Sequence, residues 1–89
     1  MPNKVKLNWA NGVFTATATP LSGSKAVRAV LEPPGPVIGD MLGPNPPNPA
    51  NGDPSTFTFG YSDPPSNTDF TATVTFEPPD DQTGDYKTL

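Results

Sequence analysis

Strict alternation of apolar and polar residues around an Asn-Gly pair is the feature that most constrains the fold of this chain. In residues 4–9, KVKLNW, every second side chain is apolar, which is the period of a strand with one buried face. Asn11-Gly12 follows and favours the two-residue turn of a β-hairpin, because both turn residues must adopt positive φ. With these two residues as the loop, the predicted cross-strand pairs are Ala10 with Val13, Trp9 with Phe14, Leu7 with Ala16, and Val5 with Ala18.

The same period recurs in later segments that are separated by proline-rich or glycine-rich turns. The further predicted strands are Lys25–Leu31, Thr56–Tyr61 and Thr68–Glu77. In the first of them, alternation predicts two faces, one made of Val27, Ala29 and Leu31 and the other of Ala26, Arg28 and Val30. This strand ends at prolines, which cannot donate a backbone hydrogen bond to a sheet. After them we expect Val37-Ile38 as a short edge strand and Met41-Leu42 as a plug for one end of the core.

Five or six short strands without any helical pattern predict an all-β fold. Their spacing resembles that of small immunoglobulin-like and fibronectin-III-like domains, which implies a β-sandwich of roughly five to seven antiparallel strands with a long Pro-rich loop. The 89 residues are enough for one core only. We expect a single domain at 1–77, with the loop at 43–55, followed by an acidic C-terminal tail or arm at 78–89.

The composition excludes several classes of function. The chain has no cysteine and no histidine, so disulfides, thiolate nucleophiles and most transition-metal sites are excluded. Its net charge of -4 is opposite to the basic surface that nucleic-acid binding requires. There is neither an apolar run typical of a signal peptide nor a membrane span. We therefore expect no enzyme activity, no catalytic residue, no cofactor, no metal, no nucleic acid and no membrane.

The Pro-rich loop and the acidic tail are the segments that folding alone explains least, because long loops in compact domains usually have a function. Proline-stiffened segments lose little entropy when they dock on a neighbour. We also expect Tyr61 to reach the rim of the core, since its hydroxyl favours a wet or hydrogen-bonded position. The candidate partner-binding residues are Pro44, Asn45, Pro46, Pro47, Asn48, Pro49, Tyr61, Asp80, Asp81 and Tyr86.

Four other patterns have both a functional and a structural interpretation. The row Phe57, Phe59 and Tyr61 suits either a stacking platform or a core, and the core is the commoner outcome. Glu32 and Glu77 each precede Pro-Pro and would suit a glycosidase only if the two strand ends meet. Aspartates 80, 81 and 85 have the oxygen chemistry of a calcium site without EF-hand spacing. The threonine rows in FTATAT and FTATVT suit ice binding, but the runs are short and high β-propensity on a solvated face explains them with nothing further.

Small size, a thin apolar inventory and the extended arms favour an accessory protein that takes part of its stability from a larger assembly. In these respects the chain resembles the short, cysteine-free, immunoglobulin-like decoration proteins of phage virions. This resemblance implies a non-enzymatic structural protein at the virion surface. Its partner would be the subunits of the assembly, such as the major capsid protein, and it could also form a homo-oligomer.

Two alternatives remain open. The first is a carbohydrate-binding or adhesion-type recognition module, which requires Trp9, Tyr61 or Tyr86 to be exposed on a flat face or in a groove. The second is a protease inhibitor that presents the Pro-rich loop, which ranks lower because such loops normally need disulfides or a large core behind them.

Overall fold

The computed structural model describes residues 3–33 and 43–89, and within them the chain forms strands and no helix. None of the described segments is a helix of the length and apolarity needed to cross a membrane. The strands of the described residues are β1 (Lys4–Ala10), β2 (Val13–Thr19), β3 (Lys25–Glu32), β4 (Ser55–Gly60), β5 (Asp69–Glu77) and β6 (Asp80–Lys87). The predicted all-β fold is confirmed.

The strands form two antiparallel sheets of three strands each. The first sheet has the order β1-β2-β4 and the second has the order β3-β5-β6. The chain crosses between the sheets after β2, β3 and β4, and it closes each sheet with one hairpin, β1-β2 in the first and β5-β6 in the second. The inward faces of both sheets contribute to one buried cluster, so the arrangement is sandwich-like.

The first hairpin has the register that the sequence predicts. Ala10 pairs with Val13, and the pairing continues without interruption to Lys4 and Thr19. Asn11 and Gly12 have φ values of 53° and 84°, as the two central residues of this turn require. Because local turn chemistry and the hydrophobic period agree, the register of this hairpin is strongly specified.

The predicted faces of β3 are wrong in part. Ala26, Ala29 and Leu31 are buried, although strict alternation places Ala26 opposite the other two. The register with β5 shifts between Ala26 and Arg28, as a β-bulge does when it inserts one extra residue. Because of the bulge, Ala26 before it and Ala29 and Leu31 after it all face the core.

The core is built around aromatic rings that meet across the two sheets. Phe14 of β2 lies 4.7 Å from Phe70 of β5, measured between ring centroids. Tyr61, which follows β4, meets both of these rings edge to face at 5.5 and 5.3 Å. Such tilted and edge-on pairs stabilise a core by about 0.5–1.5 kcal/mol beyond the area that they bury.

The C-terminal segment is a strand of the second sheet, which corrects the expected tail or arm at 78–89. Strand β6 pairs with β5 along its whole length, from Phe76 with Asp80 to Asp69 with Lys87. The inward positions of β6 include Gln82 and Gly84, so it lacks the apolar period that would reveal it in the sequence. Backbone pairing with β5 stabilises it instead.

Gly84 brings β6 against the edge of the first sheet. A Cβ atom at this position would lie 2.9 Å from the backbone oxygen of Val5, which is closer than a side chain tolerates. The absence of a side chain therefore permits the close approach of β6 to β1 on one side of the sandwich.

Residues 43–54 lie on the other side, between β3 and β4. Asn45 exchanges two backbone hydrogen bonds with Thr56 of β4, and Gly52 donates to the carbonyl of Ser24. Pro44 and Pro49 line a small cleft with the first residues of β3. The expected strand at Val37-Ile38 and the expected plug at Met41-Leu42 lie outside the described residues.

Candidate recognition groove

A groove of ≈ 240 Å³ opens at the end of the sandwich where β1 and β6 finish and β5 begins. Its lining combines two aromatic residues, a proline and a leucine with three polar residues. The lining residues are Trp9, Asp63, Pro64, Ser66, Tyr86, Thr88 and Leu89. We call this site the Trp9–Tyr86 groove.

Trp9 is held in place by the strand that carries it and by one hydrogen bond. It lies on the inward face of β1, next to the turn, and is half-buried against the core cluster. Its indole Nε1 donates to the backbone carbonyl of Tyr61 at 2.8 Å. The bond satisfies the only polar atom of the ring, so the part of the ring that stays exposed offers an apolar, π-rich surface.

Tyr86 forms a second aromatic wall. It lies on the inward face of β6 and is half-buried. Its ring meets Phe14 edge to face, with centroids 5.9 Å apart and planes at 78°. Contact with a fully buried phenylalanine fixes the tyrosine ring while part of it remains accessible.

The turn after β4 supplies the remaining wall and is fastened to the end of β6. The Thr88 hydroxyl donates to the carbonyl of Pro65 and accepts from the backbone N–H of Thr68 at 3.0 Å. The Thr88 N–H donates to the carbonyl of Thr68 at 2.9 Å. These bonds use the hydroxyl and the N–H of Thr88 internally. Asp63, which is exposed, is the charged side chain of the lining.

The predicted position of Tyr61 is corrected. Its side chain is only 9% exposed and packs among core rings, so it does not reach the rim. Phe57 of the same row is also buried, and Phe59 is half-buried against the core. Tyr61 contributes to the groove through its backbone carbonyl, which accepts the Trp9 hydrogen bond.

The other predicted partner-binding residues lie in two further places. The segment Pro44–Pro49 borders β3 and β4 on one side of the sandwich. Asp80 and Asp81 begin β6, six and five residues before Tyr86, which is ~20 Å along a strand. The predicted residues therefore do not form one surface, and among them Tyr86 alone lines the groove with its side chain.

The conditions for a carboxylate-pair site and for a calcium site are not met in the described residues. Glu32 pairs with Thr71 and Glu77 pairs with Lys25, so the two glutamates lie ~20 Å apart at opposite ends of the second sheet. A glycosidase pair needs at most ~9.5 Å. Asp80 lies on the opposite face of β6 from Asp81, and no cluster of three acidic residues suited to a metal occurs in 3–33 and 43–89.

The sequence indicated Trp9, Tyr61 and Tyr86 as the aromatic residues that a recognition module would expose; two of them line the groove, Tyr61 is buried, and the other lining residues were not predicted. Asp63, Pro64 and Ser66 belong to a segment that reads only as a turn. Thr88 and Leu89 fall in the segment that the sequence predicts to be a tail. No linear signal joins these residues, because the groove exists only once β6 has paired with β5.

Comparison of the sequence with protein-family models and with curated proteins, and of the fold with solved structures, finds no match.

Proposed function

We propose that this chain is a non-enzymatic accessory domain that docks on a protein partner through the Trp9–Tyr86 groove. The partner belongs to a larger symmetric assembly, for which a phage capsid with the chain on the virion surface is our leading example. One observation supports docking above all others: two partly exposed aromatic rings line one groove of a small domain. We further propose that the sandwich is immunoglobulin-like and that residues 43–55 act as its long Pro-rich loop.

The composition of the groove favours a protein segment as its ligand. Trp and Tyr are the residues most often found at the energetic centres of protein interfaces, where they fill well-packed sites. Here both rings are fixed from behind, by the Tyr61 carbonyl and by Phe14, so little side-chain entropy is lost when a ligand binds. Pro64 adds a rigid apolar wall.

A carbohydrate is the second candidate ligand, and the same exposed rings favour it because aromatic faces also stack on sugars. Sugars, however, present many hydroxyl groups that each need a partner when they lose water. The indole N–H and the Thr88 hydroxyl already have internal partners. The remaining polar groups of the lining are few, so we rank the carbohydrate below a protein segment.

The proposed function can be tested with two ligand panels. A combinatorial peptide library and a panel of soluble oligosaccharides are screened against the chain, with Trp9 as the reporter because it is the only tryptophan. We expect selected peptides to shift its fluorescence saturably and to lose at least about tenfold in affinity on Tyr86→Ser. The control is Leu21→Ser, which removes an exposed apolar side chain that is 44% accessible and lies outside the groove.

Saturable binding of oligosaccharides with no peptide selected would transfer the function to the second candidate. Peptides that bind Tyr86→Ser as well as the unaltered chain would contradict the use of this groove.

Docking on an assembly is tested separately. The chain should cosediment with assembled particles from its source, and binding should saturate at a number of copies set by the symmetry of the particle. Binding without saturation would contradict that part of the proposal.

A further inference from the structure

We propose that the occupant of the Trp9–Tyr86 groove is an arginine side chain presented by an extended segment of the partner. This inference rests on the proposed function, because it names the chemistry that the same groove recognises. Three properties of the groove lead to it: its charge, its aromatic walls and its size.

The charge of the groove is negative. Asp63 is exposed at the rim and is the charged side chain among the lining residues, which include no lysine or arginine. The whole chain carries a net charge of -4, so the long-range field also attracts a cation. A cationic ligand is therefore complementary to this site, and an acidic one would be repelled.

The aromatic walls favour a cation of a particular shape. A guanidinium group stacks on Trp and Tyr rings, and it is more weakly hydrated than an ammonium group, so it loses less when water is displaced. The hydrogen bond of Trp9 to Tyr61 fixes the indole plane, and the contact with Phe14 fixes the ring of Tyr86. Asp63 provides a carboxylate that a planar guanidinium can contact with two parallel N–H groups.

The size of the groove suits one side chain. Its volume of ≈ 240 Å³ lies below the ~300–1,000 Å³ that is typical of sites for whole small-molecule ligands. A single long side chain, which packs its alkyl stem on apolar groups and keeps its charged head at a polar group, suits this volume and a lining that contains both Pro64 and Asp63.

The test uses three peptides that differ at one position. The probe is acetyl-Ala-Pro-Arg-Pro-Ala-amide, whose prolines keep it extended, and its two analogues carry citrulline or lysine in place of arginine. Citrulline has nearly the shape of arginine but no charge. Binding to the full chain is followed by the indole N–H resonance and the fluorescence of Trp9.

We expect the arginine peptide to bind saturably, the citrulline peptide to bind about tenfold more weakly, and the lysine peptide to lie between them. Asp63→Asn should weaken the arginine peptide about threefold and reduce the dependence of its affinity on salt. The matched control is Asp53→Asn, an exposed aspartate outside the groove lining, which should change neither.

Three results would overturn the inference. Equal affinities of the citrulline and arginine peptides would mean that the groove takes an apolar segment, and the proposed docking function would stand. A lysine peptide as tight as the arginine peptide would remove the assignment to arginine. If no peptide of this set binds and the library screen also selects none, both the inference and the docking function fail.

Discussion

The two ends of the sandwich use polar groups in opposite ways. At the end opposite the groove, the side chain of Asn3 is 5% exposed and joins three elements. Its Oδ1 accepts from the N–H of Leu21 at 2.7 Å, and its Nδ2 donates to Asp80 at 2.9 Å and to Ser24 at 3.2 Å. We call this group the Asn3 clamp. At the groove end, hydrogen bonds orient aromatic rings and leave part of their surface accessible.

The polar groups of one end stabilise the fold, and those of the other end position rings that remain accessible. The Asn3 clamp ties the start of β1 to the β2–β3 turn and to the start of β6, and its donors and acceptors are satisfied within the chain. Internal satisfaction stabilises a fold but leaves few groups for a partner. The groove end keeps Trp9 and Tyr86 half-exposed, at a cost in buried apolar area that a bound partner would recover.

The largest expected effect comes from the residue that lies beneath the groove. Phe14→Ala removes a fully buried ring that contacts Tyr61, Phe70 and Tyr86, and it should lower the free energy of unfolding by about 3–5 kcal/mol. Native domains are stable by only about 0.05–0.15 kcal/mol per residue, so this loss is a large share of the total and the midpoint of urea unfolding, followed by near-ultraviolet circular dichroism, should fall steeply.

The control for Phe14→Ala is Phe59→Ala, which removes the same ring from the directly paired but half-buried position on β4. Phe59→Ala should lower the free energy of unfolding by clearly less than Phe14→Ala does. Equal losses for the two variants would show that the core does not centre on the ring cluster beneath the groove.

The Asn3 clamp is the next test. Asn3→Ala removes three hydrogen bonds and leaves the buried Ser24 hydroxyl and the Leu21 N–H without this partner, so we expect a loss of about 2–3 kcal/mol in urea unfolding. Peptide binding in the groove should not change. The matched control is Asn8→Ala, an exposed asparagine of β1, which should alter stability by less than about 0.5 kcal/mol.

A smaller effect is expected at the groove end. Trp9→Phe keeps an aromatic ring but removes the donor to the Tyr61 carbonyl, which should lower the free energy of unfolding by about 1 kcal/mol. Binding of a fluorescently labelled peptide should weaken as well, because the ring is no longer fixed. A loss of stability with unchanged affinity would show that orientation of the ring does not matter for recognition.

The smallest expected effect on stability concerns a buried hydroxyl at the same end of the sandwich as the Asn3 clamp. Ser55 begins β4 and is 2% exposed, and its hydroxyl has no hydrogen-bond partner. Ser55→Ala removes an unpaired polar atom and should be neutral or stabilising by up to about 1 kcal/mol in thermal unfolding. A destabilisation above that size would show that the hydroxyl is satisfied in solution, for example by a bound water.

Local patterns predicted most of the strands. Five of the six strands of the described residues were predicted within about two residues at each end, because each has a period of two and is bounded by turn residues. The faces of β3 were not predicted correctly, because a bulge changes the relation between sequence position and face. Of the groove, only Tyr86 was among the predicted partner-binding residues, and Trp9 was named only for the recognition-module alternative.

The amino-acid sequence by itself determined the β1–β2 hairpin and its register, because Asn11-Gly12 and the alternation in KVKLNW act over a few residues. Only the tertiary structure decided that residues 80–87 form β6, since Gln82 and Gly84 carry no apolar signal and the strand depends on pairing with β5 and on close approach to β1. The groove follows from that pairing. Trp9 and Tyr86 are 77 positions apart in the chain, and long-range backbone hydrogen bonds bring them to the same end of the sandwich.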